Sequence, residues 1–252
     1  KDRRKWQTSF KNFDEYHKLF LESESESIIG EASTSYLYLK GTAKKIKDKY
    51  PKSKIIIILR NPILRAFSSY QHVRRDGEEK ENIFLNALKN EPKYIKNNFA
   101  MRWRYIDGGM YYSQIKEYLD VFDEKNIKIL IFEEFINDKN KFLKELCEYL
   151  GVDEKIIFET EKRVNTSGIF HNNVAKYIYR ILKNPPKGLG KLFSLIFKNK
   201  SRDTILFYLE NNYLKKEKMT ENEKEYLKNV FSSDIKKLEK LLSINLSIWK
   251  DI

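Results

Sequence analysis

Arg60 is the first residue after a wholly apolar run, Lys54-Ile55-Ile56-Ile57-Ile58-Leu59, and Ser68 follows eight residues later. The run reads as a strand bounded by Pro51 and Asn61-Pro62, and residues 63–75 read as the helix that Pro62 opens. An arginine at a strand end and a hydroxyl on the next helix can converge on one phosphate, the guanidinium as a two-pronged donor and the hydroxyl as a third. The same residues also admit a plainer reading, in which Arg60 pairs with a neighbouring carboxylate and Ser68 faces solvent. His72, Arg74 and Arg75 lie on the same helix. His72 is a candidate for proton transfer or a hydrogen-bonded structural histidine. Arg74 and Arg75 would meet an anionic acceptor or solvate the helix.

These side chains need a scaffold, and the sequence supplies one. Ile127–Phe132 is a second apolar strand, and Ser27–Glu31 a weaker third. Helical spacing runs through residues 110–122 and 138–150, with Gly151 placed to end the latter. Thr220-Glu221-Asn222-Glu223 is a capping box that opens a helix running to about Leu242. Apolar strands alternating with helices predict an α/β fold with a parallel sheet covered on both faces. Ligands bind such sheets beyond the carboxyl ends of the strands, which is where Arg60 falls. The Pro185-Pro186-Lys187-Gly188 break divides residues 1–184, an α/β body, from a helical C-terminal part, 185–252.

The chain has 252 residues, 41% hydrophobic and 14% aromatic, so it can bury a core and is not disordered. Its one cysteine, Cys147, falls on the apolar stripe of 138–150 and reads as a core residue; it excludes a disulfide framework. His17, His72 and His171 are far apart, so no metal is expected. No apolar run approaches membrane-spanning length, and with the low cysteine usage this predicts a cytoplasmic protein. The net charge of +13 calls for an anionic partner. Ten Lys and Arg with no acid lie between Lys162 and Arg202, a segment expected against the acceptor or, by peripheral contact, an anionic membrane surface.

Several ordered stretches carry a family resemblance. Arg60-Asn61-Pro62-x-x-Arg65-Ala66-x-Ser68-x-Tyr70 resembles the 3′-phosphate motif of PAPS-dependent sulfotransferases, especially the bacterial carbohydrate type related to heparan sulfate sulfotransferases. Gly30–Tyr38, Gly109–Ile115, Ile131–Phe135 with Tyr149–Val152, and Leu238–Trp249 are similar to further landmarks of that family. The resemblance implies a P-loop-like parallel sheet flanked by helices, and transfer of a sulfuryl group from PAPS to a hydroxyl or amine, most simply of a carbohydrate. It implies Arg60, Ser68, Tyr111 and Ser167 as cofactor-binding residues, with Arg163 or Lys176 adding charge near Ser167. It also implies His72 near the transferred group and Asp2 as a candidate base, without a metal. The family's Lys-Thr/Ser-Gly-Thr phosphate loop is absent from this sequence, and that loop with its strand is expected upstream of Lys1. In the closing loop, Gly168 and His171 stand where cations are often seen. Arg102-Trp103-Arg104-Tyr105 is expected in an acceptor wall. The competing reading is a non-catalytic module for nucleic acid or another anionic polymer, motivated by charge alone; a phosphate-loop kinase or GTPase lacks its GxxxxGK[ST] motif.

Overall fold

The structure is a computed structural model that describes residues 12–21, 23, 26–153, 168–183, 185 and 199–250. Helices α1 (Phe13–His17) and α2 (Thr42–Lys49) precede strand β1 (Ile55–Leu59). Helices α3 (Pro62–Arg75), α4 (Phe84–Lys96) and α5 (Tyr111–Leu119) fill the connection to β2 (Ile127–Ile131), and α6 (Phe132–Asn137) and α7 (Lys139–Leu150) follow. Strand β3 (Ile169–Phe170), α8 (Asn173–Lys183), α9 (Asn199–Tyr213), β4 (Leu214–Lys215) and α10 (Glu221–Leu242) complete the chain. β1 and β2 pair in parallel, Ile55 opposite Ile127 and Leu59 opposite Ile131, so their carboxyl ends lie side by side. β3 and β4 form a separate antiparallel pair.

Two expectations about the sheet are corrected. Ser27–Glu31 is irregular, with Ile28 and Ile29 exposed. It joins no ladder; the chain that follows is tied down by side chains, with the Tyr118 hydroxyl donating to the Tyr36 carbonyl at 3.0 Å and Tyr38 to Asp107. The sheet is also not covered evenly. Ile57 and Leu59 of β1 are buried, while Ile56 and Ile58 are 37% and 51% exposed.

The buried face of β1 packs with Tyr111, Ile115 and Tyr118 of α5, and with Leu238, Leu246 and Trp249. The other half of α10 supplies Leu227 and Phe231 to a cluster built on Ile63, Tyr70 and Trp103. One helix therefore joins both halves of the core. Its start is the expected capping box: Thr220 Oγ1 accepts from the Glu223 amide at 3.3 Å, and Glu223 Oε2 accepts from the Thr220 amide at 2.9 Å. Gly109 marks where α3, α5 and α10 meet, since a Cβ there would lie 2.9 Å from the Phe231 ring and 3.1 Å from Pro62. Cys147 is buried beside Phe142, as its stripe predicts.

The described part of the acid-free segment does not face an open anionic surface. α8 is docked on the carboxyl end of α3, where helix carbonyls and acids concentrate negative charge. Arg180 donates to the Arg74 carbonyl at 3.2 Å, and Lys183 pairs with Asp76 at 2.8 Å. Arg75 pairs with Glu210 at 3.3 Å and with Asp76 at 3.4 Å, and Tyr179 donates to Glu210 at 2.7 Å. Arg74 in turn pairs with Glu217 at 2.9 Å. Arg74 and Arg75 are thus committed inside the protein, neither solvating a bare helix nor free for an acceptor. Gly77 turns the chain at φ +79°, and Arg180 occupies the space a side chain there would need. Asp76 therefore holds three cations, counting Arg102 at 3.7 Å. Its replacement by alanine would leave buried Arg75 short of a partner. Asp76→Ala is expected to cost roughly 2–4 kcal/mol in chemical denaturation, below the fully buried limit because Lys183 and Arg102 keep access to water.

Candidate functional site

The carboxyl ends of β1 and β2 bring Arg60, Asn61, Phe132 and Glu133 together. The Arg60 guanidinium lies over the Phe132 ring at 5.4 Å, a cation–π shelf. Its Nε is buried and has no hydrogen-bond partner among the described residues. Burial pulls Arg60 below the ordinary guanidinium value, and the nearby Glu133 carboxylate pushes back. Glu133 does not close this gap; its carboxylate is oriented by two other donors. Oε1 accepts from the Asn61 amide at 3.0 Å, and Oε2 accepts from Trp249 Nε1 at 2.8 Å. An arginine held over a ring with an unpartnered buried N–H is a donor set suited to an incoming oxyanion. Of the two readings open from the sequence, pairing with a carboxylate is not what the geometry shows.

Asn61 does more than end the strand. Its Oδ1 caps α3, accepting from the Ile63 amide at 2.9 Å and the Leu64 amide at 3.3 Å. Its Nδ2 donates to the Trp249 carbonyl at 2.9 Å. Ser68, two turns along α3, is half-buried, and its hydroxyl forms no hydrogen bond among the described residues. Tyr111 lies behind Arg60 and not on its open side. It is 4% exposed, and its hydroxyl donates to the Arg60 carbonyl at 3.0 Å. Burial raises its pKa, so the phenol stays a donor.

His72 lies one turn beyond Ser68, so the two share a face of α3 at about 6 Å between β-carbons. About 15 Å of helix separates it from Pro62. The imidazole is half-buried and forms no hydrogen bond among the described residues. Burial and the charge of Arg75 lower its pKa to about 4, with Lys183 acting the same way and Asp76 and Glu210 opposing. His72 is therefore neutral at physiological pH.

The remaining expectations divide clearly. Asp2, Arg163 and Ser167 lie outside the described residues. Gly168 is described, and its lack of a side chain has a cause: a Cβ would sit 2.9 Å from the Lys215 carbonyl oxygen. The expected acceptor wall is instead core. Trp103 and Tyr105 are 1% and 0% exposed, and Arg104 is buried. The loop is drawn inward by two buried acids: Glu91 accepts from the Ile106 and Asp107 amides at 2.6 and 2.8 Å, and Glu79 accepts from Tyr105 at 2.9 Å. Arg65 Nη2 adds a bond to the Arg104 carbonyl at 3.0 Å. Among the described residues no group of three His, Cys, Asp or Glu side chains is placed to hold a metal, and no helix is long and apolar enough to cross a membrane. Glu133 and Trp249 entered the sequence reading only as letters of motifs. The signal for them was a pair of acids directly after an apolar strand and a tryptophan close to the last residue of the sequence.

For His72 the low pKa gives a sharp expectation. Its ring protons should hold constant shifts from pH 8 to about 5 and move only near pH 4 in an NMR titration. Because the unfolded imidazole takes a proton near 6.5, the folded state should lose stability as pH falls from about 6.5 towards 4. A His72→Gln variant should lack that share of the slope.

The chain is similar to several known proteins. The chain is 27% identical over 224 residues to the bifunctional heparan sulfate N-deacetylase/N-sulfotransferase 1 of Caenorhabditis elegans, covering 88% of this chain and 23% of that protein. It is 28% identical over 140 residues to the human bifunctional heparan sulfate N-deacetylase/N-sulfotransferase 3, covering 52% and 16%. The chain thus spans less than a quarter of the length of these curated relatives. A crystal structure of a sulfotransferase from Alicyclobacillus acidocaldarius superposes with a TM-score of 0.71 at 29% identity, over 95% of this chain and 74% of that one. The family model described as the sulfotransferase domain matches residues 8–239, most of the length, and on that match the chain belongs to the sulfotransferase domain family.

Proposed function

We propose that this sulfotransferase moves a sulfuryl group from PAPS to an amine or hydroxyl of a carbohydrate acceptor. The observation that carries the donor is the unpartnered, buried Nε of Arg60 above Phe132. Arg60 and the free hydroxyl of Ser68 would hold the 3′-phosphate, with Ser167 completing the anion site. The bound donor supplies a sulfuryl group on a phosphate leaving group, and adenosine 3′,5′-bisphosphate remains. Neutral His72, facing the same side of α3 as Ser68, has a ring nitrogen free to take the acceptor proton. Asp2 is the alternative base. An amine acceptor is favoured because the relatives are described as heparan sulfate N-sulfotransferases.

A specific surface favours an acidic acceptor. Asn229, Ser232, Ser233, Lys236, Lys237 and Lys240 form one continuous stripe along α10 and line a hollow of about 510 Å³. None of the three lysines forms an ion pair among the described residues. The acids interleaved with them are spent on backbone amides, Asp234 on Tyr112 at 3.1 Å and Glu239 on Leu246 at 2.9 Å. The stripe can therefore steer carboxylated or sulfated sugars. It replaces Arg180 and Lys183, whose charge is neutralised within the fold.

Two experiments follow. Arg60→Ala removes charge-assisted hydrogen bonds of roughly 1.5–3 kcal/mol each, so donor KM should rise at least about tenfold while the fold is retained. Unchanged donor KM and rate would overturn the site. Replacing Lys236, Lys237 and Lys240 together by glutamine should raise KM for an acidic oligosaccharide and flatten its salt dependence, and leave a neutral acceptor unaffected.

A further inference from the structure

The Arg60–Asn61 peptide group is held from both sides. Its carbonyl accepts from the Tyr111 hydroxyl at 3.0 Å, and its N–H donates to Glu133 Oε1 at 3.0 Å. The other oxygen of Glu133 accepts from the Trp249 indole N–H at 2.8 Å, and the Trp249 carbonyl accepts from Asn61 Nδ2 at 2.9 Å. Asn61, Glu133 and Trp249 therefore close a ring of three hydrogen bonds, drawn from the end of β1, the start of α6 and the C-terminal turn Ser247–Trp249. Asn61 is 1% and Trp249 3% exposed, while Glu133 is half-buried. The Trp249 ring also packs on Tyr111, with centroids 6.2 Å apart.

We propose that Asn61 and Trp249 are positioning residues for Arg60, and that the C-terminal turn thereby sets the affinity of the anion site. Glu133 is the residue that links them. It is the acid electrostatically coupled to Arg60, and an aspartate or glutamate free to rotate beside an arginine pairs with it. The indole N–H and the Asn61 amide fix the orientation of the carboxylate and hold it off the guanidinium. Loss of the indole bond lets the carboxylate turn onto Arg60 and compete with an incoming phosphate, and loss of the Asn61 Nδ2 bond to the Trp249 carbonyl releases the turn that holds the indole in place. The pinned peptide fixes the direction in which the Arg60 side chain leaves the backbone, an orientation that two bonds from one side could not hold.

This inference rests on the reading of Arg60 as the ligand of the donor's 3′-phosphate, and the test separates the two. Adenosine 3′,5′-bisphosphate binding is measured by calorimetry on the full chain, with the melting temperature recorded in parallel. Trp249→Phe keeps an aromatic side chain and removes the indole donor together with part of the ring volume, a loss the melting temperature reports; Asn61→Ser keeps a helix cap and removes the Nδ2 donor. Each should weaken binding about tenfold, the scale of one lost hydrogen bond. In an Arg60→Ala background neither should weaken it further, because the effect passes through Arg60. If Arg60→Ala itself leaves affinity unchanged, the phosphate reading fails. If Arg60→Ala weakens binding and the two ring variants do not, or if their effects persist without Arg60, the positioning role is overturned. Failure of both ring variants to fold would assign the ring to the fold alone and overturn it equally.

Discussion

A single carboxylate, Glu133, receives two N–H groups from residues 72 and 116 positions away in the chain. A half-buried carboxylate between two buried donors ties them together, so the three segments that meet there are held relative to one another. The end of β1, the start of α6 after β2, and the C-terminal turn cannot shift independently. The consequence for chemistry is a strand end at which an arginine is exposed to one side only and unpaired. The consequence for stability is that Asn61, by capping α3, links the same knot to the helix that carries Ser68 and His72.

Charge is handled in two contrasting ways. At the far end of α3, Asp76, Glu210 and Glu217 absorb the cations of α3 and α8, and Arg180 reaches the helix carbonyls. The positive surplus there is structural, a way to dock α8 where the α3 dipole is negative. In the second half of α10, Asp234 and Glu239 are instead turned onto backbone amides, and Lys236, Lys237 and Lys240 form no ion pair among the described residues. A basic composition thus divides into neutralised and unpaired parts according to where the acids point.

The loop of residues 97–110 shows the same logic with uncharged partners. Its aromatics and arginines have the composition of a sugar-binding wall. Glu79 and Glu91, buried on the neighbouring segment, offer acceptors to this loop, Glu79 sharing its own with Tyr94 and two local amides. Burial pushes Glu91 up to about 7 even though two backbone amides oppose the shift. Satisfying those acceptors draws Tyr105 and the Ile106 and Asp107 amides inward, and Trp103 follows into the core.

The parallel strands, the start of α3 at Asn61-Pro62, the capping box at Thr220 and the glycine that ends α7 are local facts. Each follows from branched side chains, a fixed proline φ or a side-chain oxygen within three residues, so the sequence alone determined them. The arginine at the strand end and the serine eight residues later were legible for the same reason. What the sequence could not decide was partnership at long range. Whether Arg60 would be paired, whether Lys183 and Arg180 would meet acid or solvent, and whether Trp103 would face a sugar or a core depended on side chains tens to hundreds of residues away. Hydrogen-bond satisfaction is settled only after burial removes water as the alternative partner, and burial is a property of the assembled fold. That is why Glu133 and Trp249, unremarkable in sequence, became the pair on which the site depends.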